Sequence, residues 1–211
     1  MRKAIVGAAL LCLAGGSASV ARAGGFDVDL SLGYTRLRMD GADAKDLDKS
    51  DGAVAHATFM VAQPAVPGLK LGFGLEATGY RNDFHEIDSN GDRRHRYHEL
   101  DLLVPELRAA YTINIDHFFI EPAIGVGLAM GEYRIGTTHH HHHDDEDFDE
   151  DDNDYFRANA AVHPSLKIGY GQGHWSAGVE VGGMYTHLHF KDGVGGDISE
   201  LYGGGFFRWS F

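Results

Sequence analysis

The sequence predicts an all-β protein, an eight-stranded antiparallel up-and-down transmembrane β-barrel, on three observations. Apolar and polar residues alternate with period two along most of residues 26–211. The connections between alternating segments run long, short, long, short, long, short, long. The polar positions mix glycine with charges of both signs. Period two places successive side chains on opposite faces of a strand. Alternate connections of an up-and-down barrel lie at opposite ends, so all the long ones are expected at one end and all the short ones at the other.

The N-terminus reads as an export signal. Met1-Arg2-Lys3 is basic, Ala4 to Ala14 is apolar, and Ala21-Arg22-Ala23 fits an A-x-A cleavage site before Gly24. The apolar stretch is shorter than the ~20 residues a spanning helix needs. Residues 1–23 are therefore expected to be removed, leaving a barrel over 24–211. Cleavage would remove the single cysteine, Cys12, so the exported chain would have no disulfide. It would also remove Arg2, Lys3 and Arg22 and no acid, so the net charge of −13 becomes −16. Nucleic-acid binding leaves a basic footprint; this balance excludes that class of partner.

The first strand starts at Phe26, where Phe26, Val28, Leu30, Leu32 and Tyr34 alternate with Asp27, Asp29, Ser31, Gly33 and Thr35. The second, Ala53 to Val61, alternates weakly. In the third, Leu69, Leu71, Phe73, Leu75 and Ala77 alternate with Lys70, Gly72, Gly74, Glu76 and Thr78. The fourth, Leu100 to Ile115, changes phase near Pro105, which predicts a bulge, since proline inside a sheet is confined to bulges and edges. The fifth runs from Phe118 to Gly131, and the sixth from Phe156 to Tyr170, with Ala158, Ala160, Val162, Leu166 and Ile168 on one face. Trp175 to Tyr185 and Ile198 to Phe211 complete the set. Residues 62–68, 115–117 and 171–174 carry turn chemistry; 40–50, 81–97, 136–155 and 190–197 are the long polar connections.

Alternation does not say which face is inside. A lipocalin-like barrel would turn its apolar face inward around a ligand. Lys70, Glu76, Glu121, Arg157, Lys167, Glu180 and Arg208, interspersed with glycines, suit instead a narrow lumen crossed by ion pairs. The opposite face ends in aromatics at Phe207, Trp209 and Phe211, matching the interfacial girdle of membrane barrels. Eight strands leave an interior just wide enough for side chains, so a plugged lumen is expected in preference to a conducting one.

With its final strand LYGGGFFRWSF and the Pro-then-alternating-Gly stretch EPAIGVGLAMG, the chain resembles the small eight-stranded outer-membrane barrels of Gram-negative bacteria, the group that includes the transmembrane domain of outer membrane protein A. The resemblance covers essentially all of 25–211. It implies that Phe207, Trp209 and Phe211 form an assembly signal read by the outer-membrane insertion machinery; Gly203 and Gly205 depart from that pattern. It also implies surroundings of outer-membrane lipid and lipopolysaccharide, short turns and termini in the periplasm, and long loops outside the cell. It does not fix an activity, because fold is not function.

His163-Pro164-Ser165 with Glu180 resembles the H-x-S pair and orienting carboxylate of lipid A deacylases. The alternation puts His163 and Ser165 on the lumen face, far from an outer-leaflet substrate, and favours a hydrogen-bonded lumen role; no enzyme is expected. Gly125-x-Gly127 and Gly72-x-Gly74 lie inside strands with no following helix, so they are no nucleotide-binding loop.

The segment TTHHHHHDDEDFDEDDND lies in the third long loop. Residues 144–154 contain nine acids and no base. Three readings stand. It is a solvated tether, because a like-charged polar tract cannot bury a core. It is a metal trap, in which His139, His140, His141, His142 and His143, with Asp144, Asp145 and Asp147, bind Zn²⁺, Ni²⁺ or Cu²⁺ weakly. Or it is an anionic loop that holds Ca²⁺ or Mg²⁺, or a basic partner, with the histidines as a pH switch. His85, His95, His98, His187 and His189 belong to the same end of the barrel, which favours metal, although His187 and His189 have the alternative of facing outward at the membrane interface. The expected function is a non-enzymatic outer-membrane surface protein that captures or senses divalent transition metal. The alternative is a structural or adhesive protein, and the third is a lipid-modifying enzyme.

Overall fold

The computed structural model describes residues 25–40, 49–87, 93–138, 148–149, 153–155, 159–189 and 195–211. The expected export signal, Arg157 and the His139–Asp147 tract lie outside the described residues. Among the described residues, eleven strands form one antiparallel sheet: β1 Phe26–Asp40, β2 Asp51–Ala62, β3 Leu69–Ile87, β4 Arg93–Tyr111, β5 Ile113–Ile115, β6 Phe118–Thr138, β7 Phe148–Asp149, β8 Asn153–Tyr155, β9 Asn159–Gln172, β10 Trp175–His189 and β11 Gly195–Ser210. Eight of them are staves; β5, β7 and β8 are short strands paired along β6. The order β4-β3-β2-β1-β11-β10-β9-β6 closes through β4–β6 pairing, so the sheet is an eight-stave barrel. The seam between the first and last strands holds from Asp27↔Ser210 to Asp40↔Asp197.

Turn chemistry sets one end. Gly68 has φ +88° and Gly173 φ +67°, conformations glycine takes without a Cβ clash. Gly173-His174 links β9 to β10 in two residues, and Asp116-His117 does the same between β5 and β6. The other end differs from expectation in length. Pairing between β3 and β4 continues to Ile87↔Arg93, deep into the expected 81–97 loop. β6 likewise runs on to Thr138 and is met by β7 and β8. Those residues belong to paired strands, which composition alone reads as loop.

The alternation sorts every stave into an inward and an outward row. Outward rows are apolar next to the turn end. On β1 they are Phe26, Val28, Leu30, Leu32 and Tyr34, followed by Arg36 and Arg38; on β6, Phe118 to Met130, followed by Glu132. The apolar row of β1 spans nine residues and that of β6 thirteen, enough for a tilted membrane-crossing strand of ~9–11 residues. Inward rows are polar over the same stretch and turn apolar beyond it. Leu37, Met39, Tyr80, Leu100, Leu102, Met184 and Ile198 pack into a buried plug at the loop end. The barrel is thus two stacked halves of opposite polarity.

That stacking corrects the bulge expected at Pro105. Leu103↔Met130 and Glu106↔Gly127 keep one register across the proline, and Leu75↔Pro105 keeps it on the other side. The β4–β6 ladder lapses at Val104 and Pro105, where the proline has no N–H to give, and then resumes unshifted. Leu100, Leu102, Val104, Glu106 and Arg108 all point inward. The chemistry of the lumen changes phase at Pro105; the backbone does not.

Candidate functional site in the barrel lumen

Ionisable side chains fill the half of the lumen nearest the turns, in two layers. In the layer at the turn end, Arg208 lies against Asp29 (2.6 and 2.7 Å) and Glu121 (2.5 and 2.9 Å). Lys70 Nζ is 2.6 Å from Asp27 and 2.9 Å from Glu121, and Lys167 Nζ is 2.5 Å from Asp29. Arg208 also lies over the Phe119 ring at 5.0 Å. A cavity of about 420 Å³ opens below this layer, bordered by Asp27, Lys70, Thr112, His117, Ser176 and Arg208.

The inner layer is richer in acids. His56 Nε2 is 3.0 Å from Glu106 Oε1, and His163 Nδ1 is 3.1 Å from Glu106 Oε2 and 3.2 Å from Glu76 Oε2. Arg108 Nη1 donates to Glu106 Oε1 at 2.7 Å, and its Nη2 donates to Glu180 Oε1 at 3.2 Å. Ser31 donates to Glu180 Oε2 at 2.5 Å, and Tyr202 Oη donates to Glu180 Oε1 at 3.1 Å. Above, Thr35 donates to Glu200 Oε1 at 2.7 Å, where the charged half meets the plug. Two glycines on the staves either side of β4 leave the space. A Cβ on Gly125 would lie 2.0 Å from Glu106 Oε2, and one on Gly74 2.8 Å from both His56 Nε2 and Glu106 Oε1. One ligand atom each from His56, Glu106 and His163 falls within 4.8 Å of the others, a separation a single metal ion could bridge.

Of the sequence-derived residues, Lys70, Glu76, Glu121, Lys167, Glu180 and Arg208 are inward, with the partners given above. Phe207 and Trp209 are outward on β11, and Phe211, one residue beyond it, is exposed too. Phe211 stacks on Phe26 at 4.4 Å and donates its N–H to the Phe26 carbonyl, so the chain terminus is fastened across the barrel seam. His163, Ser165 and Glu180 do not assemble a triad. Ser165 Oγ accepts from Arg108, while His163 faces Glu76, Glu106 and Tyr202. At the loop end, His98 is buried with its Nδ1 against Tyr133 Oη, and exposed His187 lies 2.6 Å from Asp197. His85 and His95 are register partners across β3 and β4.

Sequence reasoning left Asp27, Asp29, His56, Glu106, Arg108 and Glu200 out of the network. The signal for Asp27 and Asp29 was their place on the polar row of β1. Glu106 and Arg108 would have followed from carrying the alternation through Pro105. His56 was obscured by the run of alanines around it, which leaves the outward row of β2 almost as small as glycine.

No protein-family model and no curated protein matches the chain. Solved structures do. The chain is similar to Neisserial surface protein A at 13% identity, over 90% of this chain and 100% of that one, with a TM-score of 0.49. It is similar to a major outer membrane protein from Thermus thermophilus at 13% identity, over 89% and 100%, with a TM-score of 0.47. It is also similar to the outer membrane protease OmpT from Escherichia coli at 11% identity, over 92% and 100%, with a TM-score of 0.46.

Proposed function

We propose that the chain is a non-conducting, non-enzymatic outer-membrane barrel that presents its long connections outside the cell, and that the third of these captures or senses a divalent transition metal. The membrane placement is supported by the outward apolar row on every stave and by its end in Arg36, Arg81, Asp101 and Glu132. Such a row satisfies lipid, and the closed barrel leaves no unpaired edge within it. The terminal Phe207, Trp209 and Phe211 would engage the insertion machinery, and lipid and lipopolysaccharide would surround the band. The ion network and the plug support a lumen that holds side chains rather than a channel. Ser165, committed to Arg108, is no nucleophile poised on an outer-leaflet substrate.

One observation carries the metal reading. Thr138 pairs with Phe148 and Thr137 with Asp149, so the chain entering and leaving 139–147 is held together on a strand ladder. The five histidines and three acids His139–His143, Asp144, Asp145 and Asp147 are tethered at both ends by that ladder. Imidazole and carboxylate together suit Zn²⁺, Ni²⁺ or Cu²⁺. The test is a metal titration of the intact protein beside one in which His139–His143 are serine and every acid is kept. The intact protein should bind Zn²⁺, Ni²⁺ and Cu²⁺ more tightly, with binding weakening as pH falls through the histidine range because the ligands must be deprotonated. Equal binding by both proteins would assign the loop to oxygen-only cations, and no binding by either would leave it a solvated tether.

A further inference from the structure

The hydrogen bonds around His163 leave a buried carboxylate oxygen without a donor among the described residues. Tyr202 gives its single hydroxyl proton to Glu180 Oε1. Tyr202 Oη therefore accepts at its contact with His163 Nε2, 2.9 Å away, and Nε2 carries the hydrogen. His163 Nδ1 is then the ring's lone-pair nitrogen in the neutral side chain, and it faces two carboxylate oxygens at 3.1 and 3.2 Å. A lone pair beside two anions is repulsive. Even a proton on Nδ1 would serve only one of them, and Glu76 Oε2 is fully buried with no hydrogen-bond partner. Among the described residues, four buried carboxylates, Glu76, Glu106, Glu180 and Glu200, share this part of the lumen with one arginine, while Lys167 lies 2.5 Å from Asp29 and 3.9 Å from Glu180.

We propose that His56, Glu76, Glu106 and His163 bind one divalent transition ion of the zinc class inside the barrel. The set is two imidazoles and two carboxylates, a usual zinc donor set. Bonds of ~2.0–2.2 Å in a tetrahedron put ligand atoms roughly 3.3–3.6 Å apart, slightly more than the 3.1 and 3.2 Å that separate His163 Nδ1 from its two oxygens. His56 Nε2 lies within 4.8 Å of the His163 and Glu106 donors; it now faces Glu106 Oε1 at 3.0 Å and Arg108 Nη1 at 3.4 Å, and would turn from that contact to complete the set. Arg108 holds Glu106 by Oε1 and leaves Oε2 for the ion, and Tyr202 fixes the His163 tautomer from behind. Both are the outer-sphere partners such sites use. The plug above and the Arg208 layer below close the site, so the ion enters during folding and leaves slowly.

This site is separate from the loop tract, and the experiment keeps them apart. The full chain with His139–His143 changed to serine is refolded with Zn²⁺ or Co²⁺, passed over a desalting column, and assayed for metal. The expected result is one ion per folded barrel, retained against a chelator until the barrel is unfolded. Visible ligand-field absorption of tetrahedral cobalt should accompany it. H163Q and E76Q should each lower retained metal at least tenfold, with folding read separately from the heat-modified gel mobility of the barrel. Should either variant not fold, the stoichiometry and cobalt spectrum of the five-serine protein still decide. Retention of no metal by that folded protein, or cobalt retained without tetrahedral bands, would overturn the site and leave a doubly protonated His163 among carboxylates. Failure of the loop reading would show only as intact and five-serine proteins binding alike.

Discussion

The two halves of the barrel use the same staves with their chemistry reversed. Near the turns the outward row is Leu, Val, Ile and aromatic while the inward row is Asp, Glu, Lys, Arg and His; near the loops Arg36, Arg38, Glu99 and Asp101 are outward and Leu37, Met39, Leu100 and Leu102 inward. β1 passes from one regime to the other between Tyr34 and Leu37 without any break in its ladder with β11. The backbone therefore dictates only that neighbours alternate. What surrounds the barrel decides which row is greasy. In the outer-membrane placement proposed above, hydrocarbon outside would leave polar side chains only the lumen, whereas water outside would restore the ordinary inside-apolar arrangement. Stability comes from different sources in the two halves, and that difference can be broken on either side.

The largest effect is expected in the charged half. Arg208→Met removes four short bonds to Asp29 and Glu121 and leaves Asp27, Asp29 and Glu121 only Lys70 and Lys167 between them, one charge short. Breaking a buried pair by removing one partner costs about 3–5 kcal/mol, so the urea midpoint of the barrel in detergent or vesicles should fall sharply. Changing Glu121→Gln in the same chain should recover much of the loss, because Lys70 then pairs with Asp27 and Lys167 with Asp29 and no carboxylate of the layer is in excess. If Arg208→Met alone is neutral, water has access to the layer and the network is solvated.

The plug should behave as a core of a soluble protein does. Leu100 is fully buried within it. Leu100→Ala removes buried methyl groups and leaves a cavity, at a cost of about 2–5 kcal/mol, read by the same unfolding assay. No charge change elsewhere should rescue it. That contrast with Arg208 separates a packing core from an electrostatic one on a single set of staves.

The reversal also explains which parts were legible in the sequence. The staves near the turns, the three short turns and the inward position of Lys70, Glu76, Glu121, Lys167, Glu180 and Arg208 follow from period two alone. The β4 stave did not, because Leu100, Leu102 and Val104 are inward and apolar while Leu103 and Leu107 are outward and apolar. A reader who assumes one greasy face per strand must insert a bulge at Pro105. The structure needs none, and Glu106 and Arg108 come into the lumen with the rest of the row. The His56–Glu106–His163 convergence was out of reach for a further reason. It joins β2, β4 and β9, whose relative heights depend on the stagger of every intervening pair, and no single sequence carries that stagger.

A third change marks where hydrocarbon would stop. Ile124 sits in the middle of the outward apolar row of β6 and is half exposed. Ile124→Arg should destabilise the barrel in bilayers by about 2–4 kcal/mol, the cost of arginine near a bilayer midplane, and should slow insertion. Arginine at Ala160, nearer the loop end on the neighbouring β9, should cost less. A flat response along the row would argue against a bilayer around it and revive a barrel surrounded by water.

The smallest effect is expected at the loop end, outside the apolar row, where His187 and Asp197 face each other across β10 and β11. Their side chains are 2.6 Å apart and about half exposed. The His187 hydrogen bond is the main influence holding the Asp197 carboxyl below the usual aspartate range, with Tyr185 adding a second bond. A carboxylate depressed in the folded state stabilises it above the ordinary aspartate pKa, and that contribution is lost as pH falls through the depressed value. The sign is fixed even though solvent screens the pair and its contribution is small. His187→Ala should therefore move the Asp197 titration up toward the ordinary value in a ¹³C-carboxyl NMR experiment, while the neutral-pH unfolding midpoint barely changes. Tyr185→Phe should move it in the same direction by less. An Asp197 titration that stays put in His187→Ala would mean that the His187 hydrogen bond does not form in solution.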